Sequence, residues 1–350
     1  MIFPSLDRVK AIAPGYDIVP VYMEILSDVR TPISVLKALK QVSSHTYLLE
    51  SADNSNHWGR YSFLGYDPKI ELFCKNHKMT IKDGTTRTFE CSDPAAEIRN
   101  ILSQYKSPRL EDLPTFTGGF VGYFACEYIR YIEPTLDFPT PDDDSAMVND
   151  VDLMLFDKVI AFDHYKNKIY LIANISTNDL ERNYNKAELE LKALADLVVN
   201  GKEADVPKGV LKTEFTSEFT KDEFEAVVKK TQHYIKEGDI FQCVVSNRRE
   251  AEFDGSLLNA YRVLRTLNPS PYMFYLSGGN VELTGASPET LVKLTDGKMY
   301  TFPIAGTMRR GKTEAEDLAI EEKLINDEKE LAEHNMLVDL GRNDLGKIAK

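Results

Sequence analysis

The chain has 350 residues, room for about two domains, and 43% of them are hydrophobic, enough for a sizeable buried core. Aspartate and glutamate outnumber lysine and arginine 55 to 42, a formal net charge of −13 with no long basic run, which argues against nucleic acid as a partner. No stretch approaches the ~18 apolar residues of a membrane span, and Met1–Arg8 lacks a basic region followed by an apolar run, so a cytoplasmic protein with no membrane partner is expected. In chain order, residues 45–175 read mainly as strands. Leu72 to Ile81 faces Thr86 to Phe89 across Asp83-Gly84, a pair suited to the positive φ of a tight turn. Val151 to Phe162 faces Lys168 to Ala173 across Asp163 to Asn167, in a run rich in β-branched and aromatic residues.

From Leu180 to Val199 the apolar residues Leu180, Tyr184, Ala187, Leu191, Leu194 and Val198 recur at helical spacing, and Asn200-Gly201 closes the helix. Residues 202–212 are polar and aperiodic, a connection between a region 1–201 and a region 213–350. Thr220 and Glu223 form a capping-box pattern, followed by a helical face of Phe224, Val227, Val228, Thr231 and Ile235 that Gly238 ends. Asp239 to Asn247 is a strand candidate, Leu291 to Leu294 pairs with Lys298 to Phe302 around Asp296-Gly297, and the chain finishes in a helix. The cysteines Cys74, Cys91, Cys126 and Cys243 have no zinc spacing and read as reduced, mostly structural thiols.

In that last helix Glu330 and Glu333 stand three residues apart on one face, with His334 beside them. Two such carboxylates suit Mg²⁺, which accepts one or two protein ligands and leaves positions for an anionic substrate. An arbitrary pair of this spacing is more often a solvated acidic face. Here Met336, Leu337 and Leu340 extend the helix as an apolar segment, which places the carboxylates near the core, where a metal or a basic partner would offset their desolvation. Pro303 to Thr307 supplies small residues and a hydroxyl after a strand, allowing a ligand close to the backbone.

Seven segments, Leu48–Ser51, Gly118–Tyr123, Gly238–Gln242, Asn268–Phe274, Gly285–Glu289, Pro303–Thr307 and Asp327–Asp344, together resemble the chorismate-utilising enzymes, and within them the large subunits of the anthranilate synthases. The resemblance covers nearly the whole chain. It implies an α+β fold of two packed, mainly antiparallel β-sheets surrounded by helices, with chorismate and Mg²⁺ in a cleft. It further implies that Glu333 is the direct metal ligand with Glu330 in support, that Ala305, Gly306 and Thr307 line the chorismate pocket, and that Glu289 protonates the departing hydroxyl, a role that burial favours. His334 is placed beside this site as a further catalytic candidate, although a lone histidine is more often a structural hydrogen bonder.

In the isochorismate-forming relatives a lysine that activates water stands where this chain has Gln242. Glutamine cannot be that base, which leaves ammonia as the nucleophile. In the aminodeoxychorismate-forming relatives a nucleophilic lysine stands where this chain has Ala305, and alanine removes that route. The implied reaction converts chorismate and ammonia to anthranilate and pyruvate, the first step of tryptophan biosynthesis, with ammonia supplied by a separate glutamine amidotransferase subunit. Leu49, Glu50, Ser51, Asn268, Pro271, Tyr272 and Met273 match the family's tryptophan feedback site.

The family continues beyond the Arg342–Gly346 stretch. The resemblance therefore implies that further metal ligands and chorismate contacts lie past Lys350, that the chain alone is inactive, and that uncovered sheet edges make it prone to aggregate. Phe302 and Met308 stand where arginine is usual, and Cys126-Glu127 where Tyr-Asp is usual. The alternatives are an aminodeoxychorismate-forming subunit of the folate pathway and a non-catalytic module that binds an amino acid or a partner.

Overall fold

The computed structural model describes residues 1–52, 59–133, 135, 148–279 and 281–350. Ten strands come first: Ile18–Leu26 (β1), Thr46–Glu50 (β2), Tyr61–Tyr66 (β3), Ile70–Lys75 (β4), Lys78–Lys82 (β5), Thr86–Glu90 (β6), Gly119–Phe124 (β7), Val151–Phe156 (β8), Lys158–Asp163 (β9) and Lys168–Ser176 (β10). Helices Leu6–Ile12 (α1), Pro32–Leu39 (α2) and Pro94–Leu102 (α3) are interspersed among them, and Leu180–Asn200 (α4) follows. The short strands Val210–Leu211 (β11), Thr216–Ser217 (β12), Arg249–Glu250 (β13) and Phe253–Asp254 (β14) flank Lys221–Glu237 (α5). Leu258–Leu267 (α6), Tyr272–Gly278 (β15), Val281–Ser287 (β16), Lys293–Thr295 (β17), Lys298–Tyr300 (β18), Glu314–Ile325 (α7) and Glu328–Gly346 (α8) complete the chain.

Seven strands pair in the order β1-β10-β9-β3-β2-β15-β16 and five in the order β6-β5-β4-β8-β7, with antiparallel neighbours throughout. The two expected sheets are therefore present, and they meet face to face. Tyr47 and Leu276 of the larger sheet pack with Val121, Met154 and Phe156 of the smaller. β15 and β16 join the sheet begun by β1 to β3, so residues 272–287 complete a layer laid down early in the chain.

Three strand expectations need correction. Leu72 to Ile81 is not one strand: Asn76 and His77, at φ 48° and 62°, close a hairpin between β4 and β5. Two successive positive-φ residues form the turn whose twist matches its strands, and Asp150 Oδ2 accepts from Asn76 N–H at 2.8 Å. The turn contains no glycine to announce it. Asp239 to Asn247, expected as a strand, is irregular, because its β-formers find no neighbouring ladder among the described residues and the pairing with β12 begins only at Arg249. Val151 to Phe162 also divides, with β8 in the smaller sheet and β9 in the larger.

α4 packs on β10 and β1 and buries Tyr184, Ala187, Leu191, Leu194 and Val198, the face its spacing defines, with Gly201 as C-cap. In α5 the capping box forms as expected, with Thr220 N–H 2.9 Å from Glu223 Oε2, and Gly238 ends the helix at φ 85°. None of the residues on its apolar face is buried. α8 likewise has no buried residue and Leu340 is 47% exposed, which corrects the expectation that Glu330 and Glu333 lie near the core.

Tyr47 is wholly buried at the seam, its ring 4.7 Å from that of Phe156, and a Cβ on Gly65 would lie 2.1 Å from its Cε1. Its hydroxyl has no hydrogen-bond partner among the described residues, and burial drives the phenol far above its ordinary range. Removing an unsatisfied buried hydroxyl relieves a desolvation cost. Tyr47→Phe is expected to raise stability by about 1 kcal/mol in urea unfolding; a loss of that size would show that the hydroxyl has a partner in solution.

The expected turn after β9 is anchored by fully buried Asp163, which accepts from Arg60 Nη2 at 2.8 Å and from the N–H groups of Tyr165 and Lys166. Burial alone would raise the Asp163 carboxyl, but Arg60 and the turn amides outweigh it and bring the pKa below the usual 3.8. A depressed carboxylate contributes stability that is present above its unfolded pKa and lost as pH falls through the native one. In Asp163→Asn, the stability lost between about pH 5 and pH 2 is expected to be smaller than in the wild type. An unchanged acid limb would assign that loss to other carboxylates.

Candidate functional site

Leu49 and Glu50 end β2, and β15 begins beside them, with Glu50 opposite Met273 and Leu49 opposite Phe274. Ala52 N–H donates to Ser270 O at 3.0 Å. The pairing thus brings Leu49, Glu50 and Ser51 against Pro271, Tyr272 and Met273, while Asn268 is the exposed C-cap of α6. Glu50 is only 9% exposed. Its carboxylate accepts from Tyr261 Oη at 2.7 Å, from Arg265 Nη2 at 3.0 Å and Nε at 2.9 Å, and from Ser62 Oγ at 3.3 Å. Ser62 in turn lies 2.8 Å from His164 Nε2, a ring whose pKa burial lowers despite the neighbouring carboxylates Glu50 and Asp163.

Sequence reasoning missed this shell. Its one signal was Tyr261 and Arg265, four residues apart and so on one face of α6. With Glu50 held by these partners, the polar group left over is Ser51 Oγ, which is buried and has no hydrogen-bond partner among the described residues.

The second group of expected residues follows β16. Ser287 is opposite Tyr272, and Glu289 N–H donates to Ser287 Oγ at 3.3 Å. The Glu289 side chain is exposed, so the shelter an acid catalyst benefits from is absent in this structure. Gln242 is also exposed, and neither side chain makes a hydrogen bond among the described residues.

The Ala305–Thr307 loop and α8 do come together. Gly306 sits at φ 80°, and a Cβ there would lie 3.1 Å from Glu330 Oε2 and 3.3 Å from Leu324 Cδ1. Farther along the helix, a Cβ on Gly341 would lie 2.9 Å from Thr301 Cγ2, so α8 backs on the chain that leads into this loop. Asp327 caps α8 by accepting from the N–H groups of Lys329 and Glu330. Glu330, Glu333 and His334 are all half-buried, and Lys329 Nζ is 3.5 Å from Glu330 Oε1. Among the described residues no group of three or more metal-ligating side chains forms. Two carboxylates one turn apart fit Mg²⁺, which completes its shell with water and substrate oxygens.

Residues 45–350 match the family of chorismate binding enzymes. The chain belongs to that family. It is 40% identical to anthranilate synthase component 1 of Acetivibrio thermocellus, a match that spans 100% of this chain and 72% of the relative. It is 40% identical to the Aquifex aeolicus protein of the same name, over 99% of this chain and 70% of that one. Among solved structures, anthranilate synthase component I from Streptococcus pneumoniae matches with a TM-score of 0.66 and 31% identity, covering 93% of this chain and 68% of that one. The menaquinone-specific isochorismate synthase MenF from Escherichia coli shares the fold, with a TM-score of 0.60 at 16% identity over 97% of this chain and 68% of that one. The α+β architecture is that of the chorismate-utilising enzymes. No helix is long and apolar enough to cross a membrane among the described residues.

Proposed function

We propose that this chain forms anthranilate and pyruvate from chorismate and ammonia, the first step of tryptophan biosynthesis. The observation that carries the reading is the contact of the Gly306 loop with Glu330 of α8, in a chain 40% identical to anthranilate synthase components. Ala305, Gly306 and Thr307 form the wall against which chorismate lies. Glu333 and Glu330 hold Mg²⁺. When bound, the ion neutralises and polarises the substrate carboxylate, a local cation in a protein of net charge −13.

Glu289 delivers a proton to the departing ring hydroxyl, and His334 flanks the metal carboxylates. Gln242 offers no base to activate water, so ammonia, already nucleophilic as the free amine, attacks instead. A separate glutamine amidotransferase subunit supplies the ammonia in the cytoplasm. Tryptophan inhibits by binding beside Leu49–Ser51 and Asn268–Met273, where the buried Ser51 hydroxyl has no hydrogen-bond partner among the described residues. Ala305 disfavours the aminodeoxychorismate reading, since no lysine stands there to act as nucleophile.

Calorimetric titration of chorismate with and without Mg²⁺ tests the site independently of turnover. Mg²⁺ is expected to tighten chorismate binding, and Glu333→Gln to weaken the Mg²⁺-dependent binding at least about tenfold. A folded chain whose chorismate affinity ignores both changes would remove α8 from the site.

A further inference from the structure

We propose that the cavity at Asp157, where the chain crosses between the two sheets, binds a free α-amino acid whose side chain is a branched aliphatic group of leucine size. It lies away from the residues already described. In the larger sheet β3 and β2 separate β9 from β15, so the cavity is distinct from the segments around Ser51 and Pro271–Met273.

Asp157 links β8 of the smaller sheet to β9 of the larger, and Asp67–Lys69 makes the opposite passage from β3 to β4. Two adjoining hollows open beside these crossings. The inner one, about 120 Å³, is lined by Ile18, Leu102, Tyr105, Leu155 and Phe156 and by Gly118 and Gly119. The outer one, about 380 Å³, lies between α4 and the two crossings. Lys69, Asp157 and Asn174 line both, so a polar mouth leads into an apolar recess. The wall of the recess is fixed in advance. Asn174 Nδ2 donates to Thr117 O at 2.7 Å and to Asp157 O at 3.0 Å, and a Cβ on Gly118 would lie 2.6 Å from that nitrogen and 2.9 Å from Phe156 O.

Most polar groups of the outer hollow are already paired. Lys158 Nζ is 3.6 Å from Asp67 Oδ2, Lys186 Nζ is 3.4 Å from Glu190 Oε1, and Asn183 Nδ2 donates to Ser176 O at 3.1 Å. Lys69 and Asp157 make no ion pair among the described residues. The Lys69 ammonium stands 5.1 Å from the centre of the Tyr105 ring. Burial raises the Asp157 carboxyl, and Lys158 and Lys69 only partly offset it. An ammonium and a carboxylate, each lacking a partner at the mouth of one apolar recess, complement a zwitterion. The ligand ammonium meets Asp157, its carboxylate meets Lys69, and its side chain enters the recess. A cavity of about 150 Å³ takes a benzene molecule, so the smaller recess takes a four-carbon branch and excludes an indole.

The test is calorimetric titration of the full chain with leucine, which is expected to show saturable binding that excess tryptophan leaves in place. N-acetyl-leucine lacks the ammonium and leucinamide lacks the carboxylate, and each should bind at least about tenfold more weakly. Alanine should lose as much, because it leaves the recess empty. Asp157→Asn is expected to weaken leucine about tenfold while leaving N-acetyl-leucine unchanged, and Lys69→Met to weaken leucine while leaving leucinamide unchanged. A merely structural role for either residue would weaken every ligand alike. No saturable binding of leucine up to about 10 mM overturns the site, as does equal affinity of the wild type for leucine and its two derivatives. Binding that tryptophan displaces, or that folded Asp157→Asn retains in full, also overturns it.

Discussion

Arg265→Ala is expected to lower stability by about 3–5 kcal/mol, because it leaves a buried carboxylate without its countercharge. Glu50 lies at the end of β2 inside the larger sheet, and Arg265 makes two of its short contacts. The remaining donors, Tyr261 and Ser62, are neutral and cannot replace that charge. Burial and the Glu50 carboxylate push the Tyr261 phenol well above its ordinary range, so it stays a neutral donor and supplies no countercharge. Arg265 also bridges α6 to the sheet, so the loss should appear as an earlier urea midpoint with an unchanged slope. A midpoint within 1 kcal/mol (about the worth of a surface pair) would mean that water reaches Glu50 in solution.

Replacing Glu289 with glutamine is expected to reduce the rate of anthranilate formation by about 10²- to 10⁴-fold, the range for loss of a general acid. Glutamine keeps the size and the backbone bond to Ser287, so chorismate affinity should change little. Glu289 is exposed, which means that the shelter from water for proton transfer has to arrive with the bound substrate. The loss should therefore fall on kcat rather than KM. A variant with full kcat would transfer the acid role elsewhere, and His334 would be the next group to replace.

The periodic segment from Leu180 to Val199 was legible because one of its faces had to be buried, and α5 was legible from its ends. The spacing in α4 defines the residues it buries, and the Thr220–Glu223 box together with Gly238 sets both ends of α5. The Asp296-Gly297 hairpin was legible from its turn chemistry, with φ values of 52° and 74°. What stayed hidden depended on residues far apart in the chain. No local pattern in Val151 to Phe162 says that it changes sheets at Asp157, and none says that Tyr261 and Arg265 wait for Glu50. The β-formers of 239–247 suggested a strand, but a strand needs a paired neighbour and none lies alongside among the described residues. Family resemblance placed the site residues on the map; the structure brings Gly306 to Glu330 and the Leu49–Ser51 segment to Pro271–Met273, and it leaves Gln242 and Glu289 exposed.

The most direct measurement is of product identity with chorismate, ammonium and Mg²⁺. It is run on this chain and on this chain joined at Lys350 to the C-terminal segment of the Acetivibrio thermocellus relative, which keeps the readout independent of where the chain ends. The account predicts fluorescent anthranilate with an equivalent of pyruvate, none of it when ammonium is omitted. Isochorismate or the para isomer as the product, or no anthranilate from either protein when both are folded, would contradict it.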